Sequence, residues 1–442
     1  MKVVLVSLKN DSGCPPIGLV NLATYLNRHG HHASIIDFNF DEDFDANNYD
    51  AIGISCMTKD YGRADNLAGK IRICNKKIPI YIGGVHISTL PESLTNNFTA
   101  GVLGEGEYTF LNILKGESLD RTAGVVYHSS GIPHVNSPAV PIADLDSLPR
   151  PDWSLVNPNY FEYKPNTTWG QFCSEGVMLT GRGCPYSCVF CSTKSFWGNH
   201  VRFYSPEYVE LMVEDLAEFG VTHIQIWDDL FTVNKNRLAL LAHKLYGKGL
   251  AYSCQPRVDK IDNETCQLLK QIGVKLCIFG FESGNERVLK YLKKDTVSLE
   301  DNFKAIRMCR DYRLEVQGSV IFGSPGETEE EMAETTFFMR MAYEMGVQRI
   351  WSFVLTPFPA TELWEKLKIN WRSPVFTWEV LSHQNLVPLC GPSMLISDFL
   401  RFIRYVHKVE NKFKWRKFWL FFRNNPFRFL WHLLTNGIRS GV

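Results

Sequence analysis

Apolar and polar positions alternate along the first 145 residues in two distinct periods. Residues 3–8 (VVLVSL) are apolar except for Ser7 and half β-branched, and residues 18–29 (GLVNLATYLNRH) set Leu19, Leu22, Ala23 and Leu26 at i, i+3, i+4 and i+7 ahead of Gly30. That spacing predicts a strand followed by an amphipathic helix with a glycine stop. Further apolar runs at 33–37, 51–56, 78–82 and 101–103 are separated by polar stretches of helix length. The pattern predicts a doubly wound, Rossmann-like sheet over residues 1–137, with ligands expected beyond the carboxyl ends of its strands. The turns to inspect are therefore 55–61, 83–88 and 104–107.

A segment rich in Pro and Asp, 138–152 (PAVPIADLDSLPRPD), breaks both periods and reads as the start of a linker over 138–172. Alternation resumes in 173–365. Strands are expected at 177–180, 223–227, 251–255, 275–281, 315–322 and 349–355, with helices between them. Helix starts are marked by Ser205-Pro206 and by the capping boxes Ser298-x-x-Asp301 and Thr328-x-x-Glu331. A series of βα units of this kind predicts a partial (β/α)6 barrel of the TIM type, with its chemistry at the strand carboxyl ends. Residues 366–442 lose the alternation and read as helical, aromatic and basic.

Composition narrows the class. The 442 residues are 45% hydrophobic and 21% charged, as expected of a globular chain of two or three domains. The N-terminus turns polar after Leu8 and does not resemble a signal peptide, and no window is apolar enough for a membrane span. A cytoplasmic protein with reduced thiols is expected. Zero net charge hides an asymmetry, because residues 401–442 hold ten Lys or Arg and one acidic residue, Glu410. Within that tail, 411–434 interleaves aromatics with Lys and Arg, which suits first a helical lid on the barrel mouth and second peripheral contact with an anionic membrane or a lipid-linked substrate. Nucleic acid is not an expected partner.

Three of the twelve cysteines fall in the run GRGCPYSCVFCS, giving Cys184-x3-Cys188-x2-Cys191 directly after the first barrel strand. A structural zinc ion would need a fourth ligand, for which His200 is the nearest candidate. Three thiolates on one short loop suit a [4Fe–4S] cluster that keeps one iron without a protein ligand. With Phe190 before the last cysteine, the run resembles the signature of the radical S-adenosylmethionine (SAM) superfamily. Later segments match in the same order: IWDDLFTVNKNR with Asp228-Asp229, YSCQPRVDKID with Arg257, GFESGNERVL with Glu282, Ser283 and Gly284, GSPGETEEE with Gly323 and Glu327, and TPFPATEL.

The resemblance implies that the open iron chelates the amino and carboxylate groups of SAM. It also implies a low-potential electron donor of the flavodoxin or ferredoxin type. Phe190, Asp228, Arg257, Glu282 and Ser283 become cofactor-binding candidates. Arg257 suits the SAM carboxylate, and Glu282 and Ser283 suit its ribose or amino group. A solvated loop charge or a turn residue is the plainer reading of each.

The N-terminal segments PPIGLVNLATYLNRHGH, GISCMT, GGVHIS and GEGEYT resemble the cobalamin (B12)-binding domain that precedes the radical domain in one subgroup of that superfamily. Gly83, Gly84 and Gly104 would let backbone approach a flat macrocycle, while Ser55, Thr58, His86 and Glu105 could bond its amides and hydroxyls. The first loop, LKNDSGCPPIG, lacks the Asp-x-His-x-x-Gly of many cobalamin proteins, so no histidine ligand to cobalt is implied there. Met57, Thr58 and Tyr61 are the residues to inspect at the lower cobalt face.

Together the resemblances imply a cobalamin-dependent radical SAM methyltransferase acting on an unactivated carbon, or phosphorus, of a small-molecule, lipid or peptide substrate. A cyclase or rearrangement enzyme with the same cofactors is the alternative. A methylthiotransferase fits less well, since Cys14, Cys56 and Cys74 are separated by 42 and 18 residues rather than evenly. A non-catalytic cluster or cobalamin sensor would not need the cofactor-side matches in the barrel.

Overall fold

The N-terminal strands form the doubly wound parallel sheet that their alternation predicts. The computed structural model describes residues 1–9, 13–166, 171–198, 200–373, 376–382, 385–386 and 388–424. Strands β1 (Lys2–Ser7), β2 (His32–Asp37), β3 (Ala51–Ser55), β4 (Ile80–Gly83) and β5 (Ala100–Val102) are parallel, in the sheet order β2-β1-β3-β4-β5. Helices α1 (Ile17–Arg28), α2 (Tyr61–Cys74), α3 (Val85–Thr89) and α4 (Gly106–Leu114) alternate with them. An antiparallel hairpin, β6 (Val125–Ser129) and β7 (Ile132–Val135), extends the far edge to seven strands. Helix α1 buries Leu19, Ala23 and Leu26 of the stripe its spacing predicts, while Leu22 is only partly buried and Val20, Thr24 and Tyr25 join the buried face.

The connection from 138 to 172 is partly woven into the hydrophobic core. Ile142, Leu145, Leu148, Trp153, Tyr160 and Phe161 are buried there, and the Tyr160 hydroxyl donates to Asp37 at 2.6 Å. A short hairpin, β8 (Lys164–Asn166) with β9 (Gln171–Cys173), leads into the second sheet.

That sheet is the partial barrel. Strand β10 (Glu175–Met178) comes first, then a small antiparallel pair, β11 (Gly181–Arg182) and β12 (Arg202–Phe203), flanking α5 (Thr193–Trp197). Strands β13 (His223–Ile226), β14 (Ala251–Cys254), β15 (Val274–Glu282), β16 (Glu315–Phe322) and β17 (Arg349–Val354) follow β10 in sequential, all-parallel order. Their crossovers carry α6 (Pro206–Glu218), α7 (Lys235–Leu245), α8 (Asn263–Ile272), α9 (Glu286–Lys293), α10 (Leu299–Asp311) and α11 (Glu329–Glu344). Both expected capping boxes form, at Ser298 with Asp301 and at Thr328 with Glu331.

Strand register separates two faces. Ile224, Cys277, Phe279, Val316 and Ile350 are buried in the core shared with the outer helices. The alternate row, Gln225, Ser253, Ile278, Ser319 and Trp351, lines the inside, where all but Ser253 keep partial exposure. None of these inner positions carries a charge.

After β17 come α12 (Glu362–Leu367) and α13 (Ile396–Asn424). Phe399, Ile403 and Val406 of α13 are buried in the main core, and the helix packs along edge strand β17. Residues 425–434 of the basic-aromatic stretch lie outside the described residues. No helix among the described residues is long and apolar enough to cross a membrane.

Candidate functional site

The three clustered thiols differ from most of the others in where the fold leaves them. Cys184 and Cys188 are half-buried and Cys191 is exposed, whereas eight of the remaining nine cysteines are buried. Their loop is pinned at its ends and its middle. Gly183 takes φ +99°, and a Cβ there would sit 2.8 Å from the His200 carbonyl, so only glycine suits this bend. Asp229 accepts from the Gly183 N–H at 3.3 Å and from the Thr193 hydroxyl at 2.9 Å, bracketing the loop. In the middle, the Val189 N–H donates to the Leu292 carbonyl at the end of α9, and the Val189 carbonyl accepts from the Leu363 N–H of α12. The Val189 side chain is buried with Val288, Leu292, Ile321 and Leu363, so it anchors the loop that carries the three thiols.

Loss of hydration pushes the Cys184 and Cys191 thiols above the ordinary range, opposed by hydrogen bonds from Tyr186 and Thr193 and reinforced by the neighbouring thiols and Asp229. Each thiol is thus within electrostatic reach of the others. Among the described residues no three His, Cys, Asp or Glu side chains stand close enough to share one ion. His200 is exposed and gives the loop its carbonyl. Three thiols that the core does not absorb suit a cluster larger than a single ion, with an iron free of protein ligands.

Several of the barrel candidates meet beside this loop. The Arg257 guanidinium lies 3.6 Å from the ring centre of Tyr186, which stands between Cys184 and Cys188, and it bonds Asp259 at 2.6 Å and the Thr296 carbonyl at 3.2 Å. Glu282 ends β15 at φ +61° and is buried, with Oε1 2.8 Å from Lys293 Nζ. A Cβ at Gly280 would fall 2.2 Å from that same oxygen, which explains the glycine. Lys293 lies 5.8 Å from the Phe190 ring centre. Burial opposes its charge, but Glu282 and then Cys188 outweigh this and raise its pKa. Lys293 is absent from the motif reading because it sits in an ordinary amphipathic helix, and only α9 docking on the loop brings it here.

Two other candidates face the protein itself. Asp228 is buried and accepts from the N–H groups of Thr180 and Gly181 at 2.5 and 3.2 Å, closing the turn between β10 and β11. Burial pushes its carboxyl up to about 6, against the pull of Arg237 and these donors. Ser283 is fully buried, 3.0 Å from the Thr335 hydroxyl, and accepts from the Asn285 N–H.

The N-terminal candidates gather at the carboxyl ends of β3, β4 and β5. Gly84 takes φ +95°, and a Cβ there would lie 2.7 Å from the Cys56 carbonyl and 3.1 Å from Ser55 Oγ. Around Gly83 and Gly104 the nearest such neighbours are 4.0 and 3.9 Å away, leaving backbone open to a large flat ligand. Met57 is exposed, while Thr58 and Tyr61 are buried and the Tyr61 hydroxyl donates to the Ser93 carbonyl.

His86 is fully buried, 3.0 Å from Ser93 Oγ, with ring centres 4.1 Å from Tyr61 and 4.6 Å from Trp378. Burial lowers its pKa to about 3, so the ring is neutral. Glu105 is likewise committed, bound to Arg182, to Arg202 at 2.7 Å and to the Ile142 N–H at 2.8 Å. Cys14 and Cys56 belong to different hydrophobic clusters and Cys74 is exposed, so no shared thiol site forms from these three.

The two candidate sites adjoin. Helix α3, which carries the GGVHIS turn, packs against α5, which begins two residues after Cys191. The atom nearest a Cβ on Gly104 is the carbonyl of Phe196 in α5.

Comparison with known proteins agrees with this geometry. The model of the radical SAM superfamily matches residues 178–339, and that of the B12 binding domain matches residues 1–114. An uncharacterised methyltransferase of Pyrococcus horikoshii is 29% identical over 409 residues, covering 84% of this chain and 86% of the relative. The cytidylyl-2-hydroxyethylphosphonate methyltransferase of Streptomyces wedmorensis is 29% identical over 358 residues, or 71% and 66% of the two chains. Among solved structures, the radical SAM methyltransferase TsrM of Kitasatospora setae superposes with a TM-score of 0.68 at 20% identity, covering 83% of this chain and 76% of that one.

Proposed function

This chain belongs to the radical SAM superfamily and carries a B12-binding domain ahead of its radical domain, and from that premise we propose that it is a cobalamin-dependent radical SAM methyltransferase. The observation that carries the reading is the shared wall. The turn glycines of the N-terminal sheet and the cysteine loop meet through α3 and α5, so a methyl carrier and a radical source would face one substrate space. Methyltransferases among the relatives support the same outcome.

When bound, the cluster supplies the electron that splits SAM into methionine and a 5′-deoxyadenosyl radical, and cobalamin supplies the methyl group. The chain's own residues bind and orient. Cys184, Cys188 and Cys191 hold the cluster, and Asp229 and Val189 fix the loop that presents them. Arg257 and Lys293 bring positive charge beside the loop, suited to the SAM carboxylate, while Glu282 suits its amino group or ribose. Ser55, Gly83, Gly84 and Gly104 would line the cobalamin side, and Phe190, beside Lys293, would border the SAM side. Asp228, Ser283, Thr58, His86 and Glu105 support these surfaces from behind, through the turns and contacts described above.

The inner face of the sheet, with Trp227, Ile278 and Trp351 and with Gln225 and Ser319 between, is uncharged and suits an uncharged part of a small-molecule or lipid substrate. A low-potential ferredoxin- or flavodoxin-type protein is the reductant this chemistry needs. The site is expected to work in the cytoplasm, and the basic tail suits a lid on the barrel mouth or peripheral membrane contact.

The test is anaerobic reconstitution with iron, sulfide, hydroxocobalamin and SAM carrying a labelled methyl group. Wild type should bind a [4Fe–4S] cluster and cobalamin and release 5′-deoxyadenosine, and the triple variant C184A/C188A/C191A should do neither cluster chemistry nor cleavage. Cleavage by the triple variant overturns the reading. Label that never leaves SAM for cobalamin replaces methyl transfer with the cyclase or rearrangement alternative.

A further inference from the structure

Arg182 joins the two sites by charge. It ends β11, two residues before Cys184, yet its side chain leaves the barrel for the N-terminal sheet. One guanidinium nitrogen bonds Glu105 and the other bonds Glu107 at 2.7 Å, and both carboxylates belong to the GEGEYT turn that follows Gly104. Arg202, on the strand paired with β11, grips the second oxygen of Glu105 at 2.7 Å and the Ile142 carbonyl at 2.6 Å. The Arg182 side chain is 3% exposed and the two glutamates 8% and 9%, so water neither screens nor replaces these bonds. Trp197 of α5 covers the guanidinium at 5.3 Å.

Two arginines and two glutamates balance, and each domain supplies one sign. A buried pair of this kind adds little net stability, because desolvation offsets attraction, but it punishes any other alignment by stranding a charge. Its product is register. The connected segments are the turn that carries Gly104 and the strand that feeds the cysteine loop, the two backbones whose separation matters if both cofactors serve one substrate.

We propose that Arg182 is a positioning residue which, through Glu105 and Glu107, sets the distance between the cluster loop and the cobalamin turn. The proposal rests on the functional reading above for its cofactors, but the lock itself exists in the protein without them. R182Q should bind both cofactors, because it removes no thiol and no turn glycine, yet hold them at no fixed separation.

The experiment is pulsed dipolar spectroscopy between the reduced cluster and cob(II)alamin in reconstituted protein, paired with hydrogen exchange on apo-protein. Wild type should give one resolved separation, and R182Q should lose it while iron and cobalamin content stay at wild-type levels. In apo-protein R182Q, protection should be lost together in the first turn of α4 and in β11 and β12. E107Q, made on the other domain and distant in sequence from the cysteines, is read in the same way and carries the test if R182Q fails to fold or load. An unchanged separation in a fully loaded variant overturns the proposal, as does loss of protection on one side only. If wild type takes up no cobalamin, the functional reading fails, and the hydrogen-exchange arm alone decides whether the lock exists.

Discussion

Lys293 places its ammonium 2.8 Å from Glu282 Oε1, joining the last turn of α9 to the end of β15 beside the cysteine loop. Both side chains are about nine-tenths or more buried, so each satisfies a charge that water cannot reach. Removing one partner leaves the other stranded, at a cost of about 3 kcal/mol. K293M should therefore lower the unfolding free energy of apo-protein by about that amount, and K293M/E282Q should recover part of it. Urea unfolding of the three proteins measures this. A K293M midpoint equal to wild type would show the pair to be immaterial.

Asp229 is a brace rather than a ligand in this geometry, since its two oxygens are engaged at Gly183 and Thr193. D229A should free both flanks of the loop and weaken iron retention about tenfold, equivalent to ~1.4 kcal/mol, within the range of a lost hydrogen-bond pair. T193V removes one arm and should lose less. Iron per chain after a chelator challenge is the readout, and equal retention in D229A and wild type would refute the brace.

Glu327 is fully buried and accepts from the Gly323 and Ser324 N–H groups at 2.6 and 2.8 Å. Burial still dominates over these donors and pushes its carboxyl up to about 7 from 4.5. A raised carboxyl binds its proton more tightly in the folded state, so its stability is full below the unfolded pKa and drains as pH rises through the folded one. E327Q mimics the neutral acid and should gain on wild type by up to about 3 kcal/mol between pH 4.5 and pH 8. Paired thermal melts across that range test it, and a flat difference would place the folded pKa near its ordinary value.

His86 shows the opposite sign. Its pKa falls from 6.5 to about 3 because burial penalises the cation. The neutral ring's stability is complete above the unfolded pKa and is lost as pH falls, by about 3 kcal/mol at pH 4. H86F keeps a ring against Tyr61 and Trp378 without a proton to gain. Its urea midpoint should decline less steeply than wild type between pH 6.5 and pH 4, and parallel declines would contradict the buried neutral histidine.

Much of the fold was legible in the chain because the signals are local. The stripe of α1 and the capping boxes of α10 and α11 each lie within a few residues, where 3.6-residue periodicity and unsatisfied N–H groups dictate the choice. The cysteine loop was legible for the same reason, since three ligands of one cluster fit inside a single turn. The Glu105 reading shows the limit of such signals. A glutamate after a turn glycine looks like a ligand group, but Arg182, 77 residues away, had already engaged it. His86 is similar, because Trp378 arrives from the far end of the chain to cover it.

The sequence by itself determined two α/β sheets, their order along the chain and the thiol loop after the first strand of the second, because periodicity, caps and close ligand spacing act over a few residues. Only the tertiary structure decided which charges face a cofactor and which face another charge. Arg182 and Lys293 carry no local mark: Arg182 meets its glutamates where sheet and barrel dock, and Lys293 meets Glu282 where α9 packs back on the end of β15, because a buried charge without a partner is costly.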